Sequence, residues 1–276
     1  MKLPRRWRFT RSFPTTPSSG IALESLPLMP QSHDTSLHAD SSAGRGAASE
    51  EAAPFRLSPR RPTAFVYVDG FNLYYGALKD VPLRWLDPLA LAAQVFPAFE
   101  CVGCKYFSAK VSAQAGTPEQ AARQALYWRA LRTIPTLEII EGNFKVRRTW
   151  ARVAYPPPDM IEIVRAEEKG SDVNLASHLL VDALAGLVGV SLVISGDSDL
   201  VTPIRMLTRH FGHPVGVINP QRLSGPDRRR LRGSSQLKQV ASYYRGGLTW
   251  AQLKRAQLSP EISDEHGCIS APESWI

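Results

Sequence analysis

At 276 residues and 43% hydrophobic content, the chain is long enough for one large or two small domains and for a real core. A formal charge of +8 and an isoelectric point near 9.6 suit an anionic partner such as nucleic acid. Three cysteines (Cys101, Cys104 and Cys268) exclude a disulfide scaffold and suggest a reducing, cytoplasmic setting, while the lack of any run of about 18 apolar residues excludes a membrane-spanning helix.

Residues 1–61 are rich in Ser, Pro, Ala and Arg without sustained periodicity, and are expected to be a disordered N-terminal extension. The first 60 residues hold eight Lys/Arg and five Asp/Glu, net +3, which leaves +5 for the rest. The basic start, Met1 to Arg8, lacks the apolar stretch a signal peptide needs. Ala64 to Val68 predicts a buried strand ending at Asp69-Gly70-Phe71-Asn72, with a helical turn over Leu73 to Leu78. Leu86 to Phe96 predicts a helix begun by Asp87-Pro88, and Val102 to Val111 a second strand. Within that strand, Cys101-x-x-Cys104 reads as packing, since no second Cys/His pair follows at zinc-site spacing.

A loop over Ser112 to Pro118 precedes a helix over Glu119 to Thr133, with Ala122, Leu126 and Ala130 on one face and Arg123, Arg129 and Arg132 toward solvent. Leu137 to Glu141 is a third strand. Asn143 to Tyr155 intersperses Lys145, Arg147, Arg148 and Arg152 among Phe144, Val146, Trp150 and Val153, as expected for an extended or hairpin segment with a basic face. Such interleaving suits phosphate contact and base stacking, or simply a solvated strand face. Pro156-Pro157-Pro158 forces a turn, and Met160 to Arg165 resumes as a strand.

Glu167 to Asp172 leads into a long helix over Val173 to Leu187, with Ser171 or Asp172 expected as its N-cap. His178 and Asp182 share one face of that helix. An acid in so apolar a stretch either lines an acidic site or pairs with His178 or an arginine, and the site is the favoured expectation. Val188 to Ile194 is a strand, Leu200 to His210 a helix, and Pro214 to Ile218 a fifth strand ending at Asn219-Pro220. This alternation predicts an α/β layered domain with a largely parallel sheet over residues 62–220. Arg222 to Arg232 includes Arg228, Arg229 and Arg230, a candidate phosphate-binding patch or a solvated loop. Helices over Leu237 to Tyr244 and Trp250 to Leu258 and a tail make up a C-terminal extension, 221–276.

The functional signal lies in Ile194-Ser195-Gly196-Asp197-Ser198-Asp199-Leu200, which joins a strand to a helix. Ligands bind at such turns, outside the carboxyl ends of strands. Two aspartates two residues apart repel each other unless neutralised, and a divalent cation held by oxygens is the simplest neutraliser. Helix capping by one of them, or an Asx turn at Asp69, is the plain alternative. Asp69, Asp172, Asp197 and Asp199 come from three separated segments. Converging, they would bind Mg²⁺ or Mn²⁺, which activates water and neutralises a phosphate undergoing displacement. The inferred chemistry is metal-dependent phosphodiester hydrolysis. The sequence has no GxxxxGK[ST] loop, and no DxDxT-like nucleophile signature beside a strand.

Tyr67 to Leu73, Glu168 to Leu175 and Ser195 to Leu200 together resemble the NYN domain family, a branch of the PIN-like nuclease superfamily. The similarity runs from about residue 63 to 220; Asn219-Pro220 and Gln257 to Trp275 also look like bacterial members. The resemblance implies a PIN-like three-layer α/β/α sandwich with a central, mostly parallel sheet, and a metal-dependent ribonuclease. Asp69, Asp172, Asp197 and Asp199 would be both the catalytic and the metal-binding acids, supported by Asn72, Lys169, Asn174, Asp182 and Ser195. Lys145, Arg147, Arg148 and the arginine run would hold RNA. Where other branches carry an acid six residues after the second-motif Asp, this chain has His178, which leaves Asp182 as the helix acid. RNA and a second copy of the chain are the expected partners, and a membrane is not. A non-catalytic RNA-binding module of the same fold is the alternative; the size and long extensions argue against a toxin of a toxin–antitoxin pair.

Overall fold

The computed structural model describes residues 61–111, 117–153, 160–223 and 234–276. Its layering is set by the alternation in β1 (Thr63–Asp69), because successive side chains of a strand face opposite sides. Ala64, Val66 and Val68 enter one hydrophobic core and Tyr67 enters another, with Phe65 packed against it. Chain order continues through α1 (Gly70–Leu73), which winds on as a π-helical turn, then α2 (Pro88–Val95), β2 (Glu100–Ala109) and α3 (Pro118–Leu131). Next come β3 (Leu137–Arg152), β4 (Met160–Lys169), α4 (Ser171–Leu184) and β5 (Val190–Ile194). A 3-10 turn, α5 (Val201–Arg205) and a π-helical turn precede β6 (Val215–Ile218). Then follow α6 (Ser235–Val240), β7 (Tyr243–Arg245), α7 (Trp250–Arg255) and the hairpin β8 (Glu261–Asp264) and β9 (Gly267–Ser270).

The main sheet has seven strands in the order β4-β3-β2-β1-β5-β6-β7, and only the β3–β4 pair is antiparallel. Leu73, Leu91, Leu131 and Leu253 bring α1, α2, α3 and α7 to the first core, on one face. Leu175, Leu179, Ile204 and Leu237 bring α4, α5 and α6 to the second, on the other. The result is a three-layer α/β/α sandwich around a mostly parallel sheet, the fold class expected. From β1 the chain builds outward through β2 and β3, then returns to start again at β5 on the other side. The β1–β5 boundary is therefore the switch point, where open α/β sheets bind ligands.

Several expected boundaries move, each for a tertiary reason. β4 runs to Lys169, not Arg165, because its ladder with β3 extends to the Asn143–Lys169 pair. Neither Ser171 nor Asp172 caps α4. Gly170 is the N-cap, at φ 96° and without a side-chain hydrogen bond, a conformation that favours glycine. The helix expected over Leu237 to Tyr244 stops at Val240, since Tyr243 to Arg245 pair with β6. Residues 221–276 thus add an edge strand, and Trp275 reaches the core beside Trp85 and Tyr127. Arg129 is not left to solvent but forms an ion pair with Asp264, and Ala122 is exposed. The N-terminal extension up to residue 60, most of the 112–118 loop, Pro156-Pro157-Pro158 and the run Arg228-Arg229-Arg230 lie outside the described residues.

Candidate metal centre

Asp69 is the last residue of β1, Asp197 lies three residues beyond the end of β5, and Asp172 sits in the first turn of α4. The hairpin turns the chain back, so that β4 ends near the carboxyl edge of the sheet and α4 starts there. The three carboxylates converge, with one oxygen from each within 4.8 Å of the others. Asp69 is buried, Asp197 is partly buried and Asp172 is exposed, so the cluster has a closed floor and an open side.

The floor is rigidly built. Asp69 Oδ1 accepts from the Asn72 backbone N–H at 2.9 Å, and Oδ2 accepts from the Ser195 hydroxyl at 3.0 Å. The Ser195 Oγ accepts from the Asp197 N–H at 3.0 Å. The Asn72 Oδ1 accepts from the Gly196 N–H at 2.9 Å. Asn72 and Ser195 therefore tie the first strand-end motif to the third. A Cβ on Gly196 would stand 2.6 Å from the Asn219 carboxamide oxygen, so any other residue there would have to displace the buried Asn219 side chain. Asn219, at the end of β6, is a buried wall of the site, with the Tyr244 hydroxyl close by.

Burial and the crowding of like charge together set the electrostatics. Burial pushes the Asp69 carboxyl up to about 6, with the charges of Asp172 and Asp197 adding to it. Asp172, although exposed at its outer side, is raised by partial desolvation and then by Asp197 and Asp199. A fourth acid, Glu168, joins them at the end of β4. Burial, and then the Asp69 and Asp172 charges, push its carboxyl up to about 7. Its Oε1 is buried without a hydrogen-bond donor among the described residues. Sequence reading missed Glu168 because it ended the strand at Arg165; continued period-two alternation would have placed an acid at the sheet edge.

The remaining expected residues sort differently. Asp199 is exposed and outside the converging trio; its backbone N–H donates to Asp197 Oδ1 at 2.9 Å. Lys169 is exposed and paired with Glu167 at 3.0 Å, and Asn174 lies one turn into α4 with its N–H on the Gly170 carbonyl. Asp182 does not line the acidic site. It lies ten residues beyond Asp172, about 15 Å along the helix, and accepts from Lys105 Nζ and, at 2.9 Å, from the Tyr67 hydroxyl. Lys105 also reaches His178 Nδ1 at 3.2 Å. A lysine inside the second strand is what the sequence reading lacked. The basic residues of β3 divide by face. Arg147 shares Glu167 with Arg165 and Lys169. Arg148 projects to the opposite face, which carries Phe144 and Trp150, with Trp150 exposed.

No family model matches the chain. The chain is 30% identical over 237 residues to 6-hydroxy-3-succinoylpyridine 3-monooxygenase of Pseudomonas putida, covering 76% of this chain and 74% of that protein. It belongs to the same family. Its structure also matches that of a Vibrio parahaemolyticus protein of unknown function, with a TM-score of 0.41 and 15% identity, covering 70% of this chain and 95% of that one. In this family member, three carboxylates with only oxygen donors fit a hard divalent cation. Burial first, and then the neighbouring carboxylates, raise Asp69, Asp172 and Glu168, and a bound cation would offset both the desolvation and the repulsion.

Proposed function

We propose that the protein is a metal-dependent ribonuclease that hydrolyses RNA phosphodiester bonds at the β1–β5 edge. The observation that carries this reading is the convergence of Asp69, Asp172 and Asp197 at the switch point of the sheet. Asp69, Asp172 and Asp197 would hold Mg²⁺ or Mn²⁺, which when bound supplies charge neutralisation and an activated water. Asn72 and Ser195 fix the two strand ends relative to each other, so the carboxylates are already placed when substrate arrives. The closed floor at Asp69 limits its access to bulk water. Arg148, beside Trp150 on the hairpin face that also carries Phe144 and Glu168, would hold the RNA backbone.

The test is cleavage of labelled single-stranded and hairpin RNA by the purified full chain with Mg²⁺, Mn²⁺ or EDTA. The expected result is metal-dependent cleavage that falls by about a hundredfold or more in Asp197→Asn, as loss of one metal-site ligand implies. RNA binding without cleavage in either metal, unchanged in Asp197→Asn, would instead favour the non-catalytic module.

A second reading rests on the name of the Pseudomonas relative, which describes a monooxygenase acting on a hydroxypyridine acid. Monooxygenation needs O₂ and a two-electron donor. Oxygen uptake with 6-hydroxy-3-succinoylpyridine and reduced nicotinamide or flavin, at a rate exceeding any RNA cleavage, would select it.

A further inference from the structure

A cavity of about 340 Å³ opens between α1, the end of β2 and α3. That size lies at the lower end of small-molecule sites, about 300–1,000 Å³. The cavity and the acidic cluster share a wall. Gly70, which lines the cavity, directly follows Asp69, and Phe144, which also lines it, stands opposite Glu168 in the β3–β4 ladder.

The lining is aromatic with a positive edge. Phe71 and Tyr75 stack at 6.4 Å and 20°, and Phe144 meets Phe71 edge-on at 5.7 Å. Tyr75 is 62% exposed, with Tyr74 edge-on to it at 5.2 Å and Lys79 Nζ 5.4 Å from its ring centre, a further cation beside the aromatic lining. Arg84 and Arg123 line the same cavity, and no Asp or Glu does among the described residues. Flat rings offer stacking faces to a planar ligand, and two guanidinium groups favour an anion.

We propose that this cavity takes a planar aromatic ring carrying an anionic group. Its occupant is an unpaired nucleobase with its phosphate, next to the bond cut at the acidic edge. The assignment to a nucleobase rests on the ribonuclease reading; the ring-and-anion chemistry does not. A free heteroaromatic acid has the same chemistry, and the test separates the two sources.

The experiment titrates the full chain in EDTA, so that no metal is needed, with each nucleoside 5′-monophosphate, ribose 5-phosphate and a hydroxypyridine carboxylate. Binding is followed by calorimetry and by tryptophan fluorescence, since Trp128 and Trp275 line the cavity. The expected result is saturable binding of at least one nucleotide, about tenfold tighter than ribose 5-phosphate and weakened about tenfold in Tyr75→Ala and Phe144→Ala. Arg123→Ala weakens both nucleotide and hydroxypyridine carboxylate. Tyr75 is exposed, so its variant keeps the fold, and a wild-type melting curve checks this. Ribose 5-phosphate binding as tightly as every nucleotide, or the folded Tyr75→Ala and Phe144→Ala variants binding like wild type, overturns the ring site. A hydroxypyridine carboxylate binding about tenfold tighter than every nucleotide keeps the ring site and overturns the nucleobase as occupant. Nucleotide binding in a protein that does not cleave RNA leaves the site standing while the ribonuclease reading fails.

Discussion

Helix α4 carries two aspartates that the fold treats in opposite ways. Asp182 is buried and matched from within the chain, by the Lys105 ammonium and the Tyr67 hydroxyl. Asp172 opens the same helix among three other carboxylates, and its charge is opposed by like charges. A buried acid with its own cation is architecture. An acid surrounded by acids is held in place by the rest of the fold and is matched only by something from outside. The comparison predicts that the two ends of α4 respond differently to mutation, pH and metal.

The largest effect is expected at the matched end. Lys105→Met leaves the buried Asp182 carboxylate without a cation, held by the Tyr67 hydroxyl alone among the described residues, and should cost about 3 kcal/mol in urea unfolding. Pairing it with Asp182→Leu should recover most of that loss; no recovery would mean that Lys105 acts through something other than Asp182. Neither variant should change Mn²⁺ affinity.

At the crowded end, pH gives the next effect. The folded-state values of Asp69 (about 6) and Glu168 (about 7) lie above those of unfolded carboxyls. Folding therefore takes up protons between about pH 4 and 7, and this part of the stability, present at the acid end, is lost as pH rises through that window. Without metal, the melting temperature should fall by a few degrees across it, and Glu168→Gln should flatten the fall. Added Mg²⁺ should raise the curve most at its alkaline end. A metal-induced stabilisation that grows toward pH 5 would contradict the arrangement.

Asp172→Asn removes one of the opposed charges. It should raise the melting temperature of the metal-free chain slightly while weakening Mn²⁺ binding, measured by calorimetry, about tenfold or more. Loss of both stability and metal affinity would make Asp172 a structural residue like Asp182. The smallest effect separates the faces of the hairpin. Arg148→Ala should weaken RNA binding and lower the salt slope by about one. Arg147→Ala, already committed to Glu167, should do less, and equal effects would remove the distinction.

Much of the acidic site was legible because each motif advertises itself locally. Asp69-Gly70 ends an apolar run, Asp197 follows another, and Gly170-Ser171-Asp172 precedes a helical pattern. Placing Asp182 with them failed because its partner, Lys105, is distant in sequence and sits inside a strand that reads as apolar packing. Glu168 was passed over because the strand was ended early. The cavity aromatics were spread over α1, β3, α3 and the last residues of the chain, with no spacing to connect them.

The sequence by itself determined the alternation of strands and helices, the two-faced β1, and three acids at element ends. These follow from side-chain periodicity and turn chemistry, which act over a few residues. The tertiary structure alone decided that Asp69, Asp172 and Asp197 meet, that Glu168 joins them, and that Asp182 is neutralised elsewhere. Those outcomes depend on which strands pair, and pairing is fixed by burying two hydrophobic cores at once. No local pattern encodes that condition.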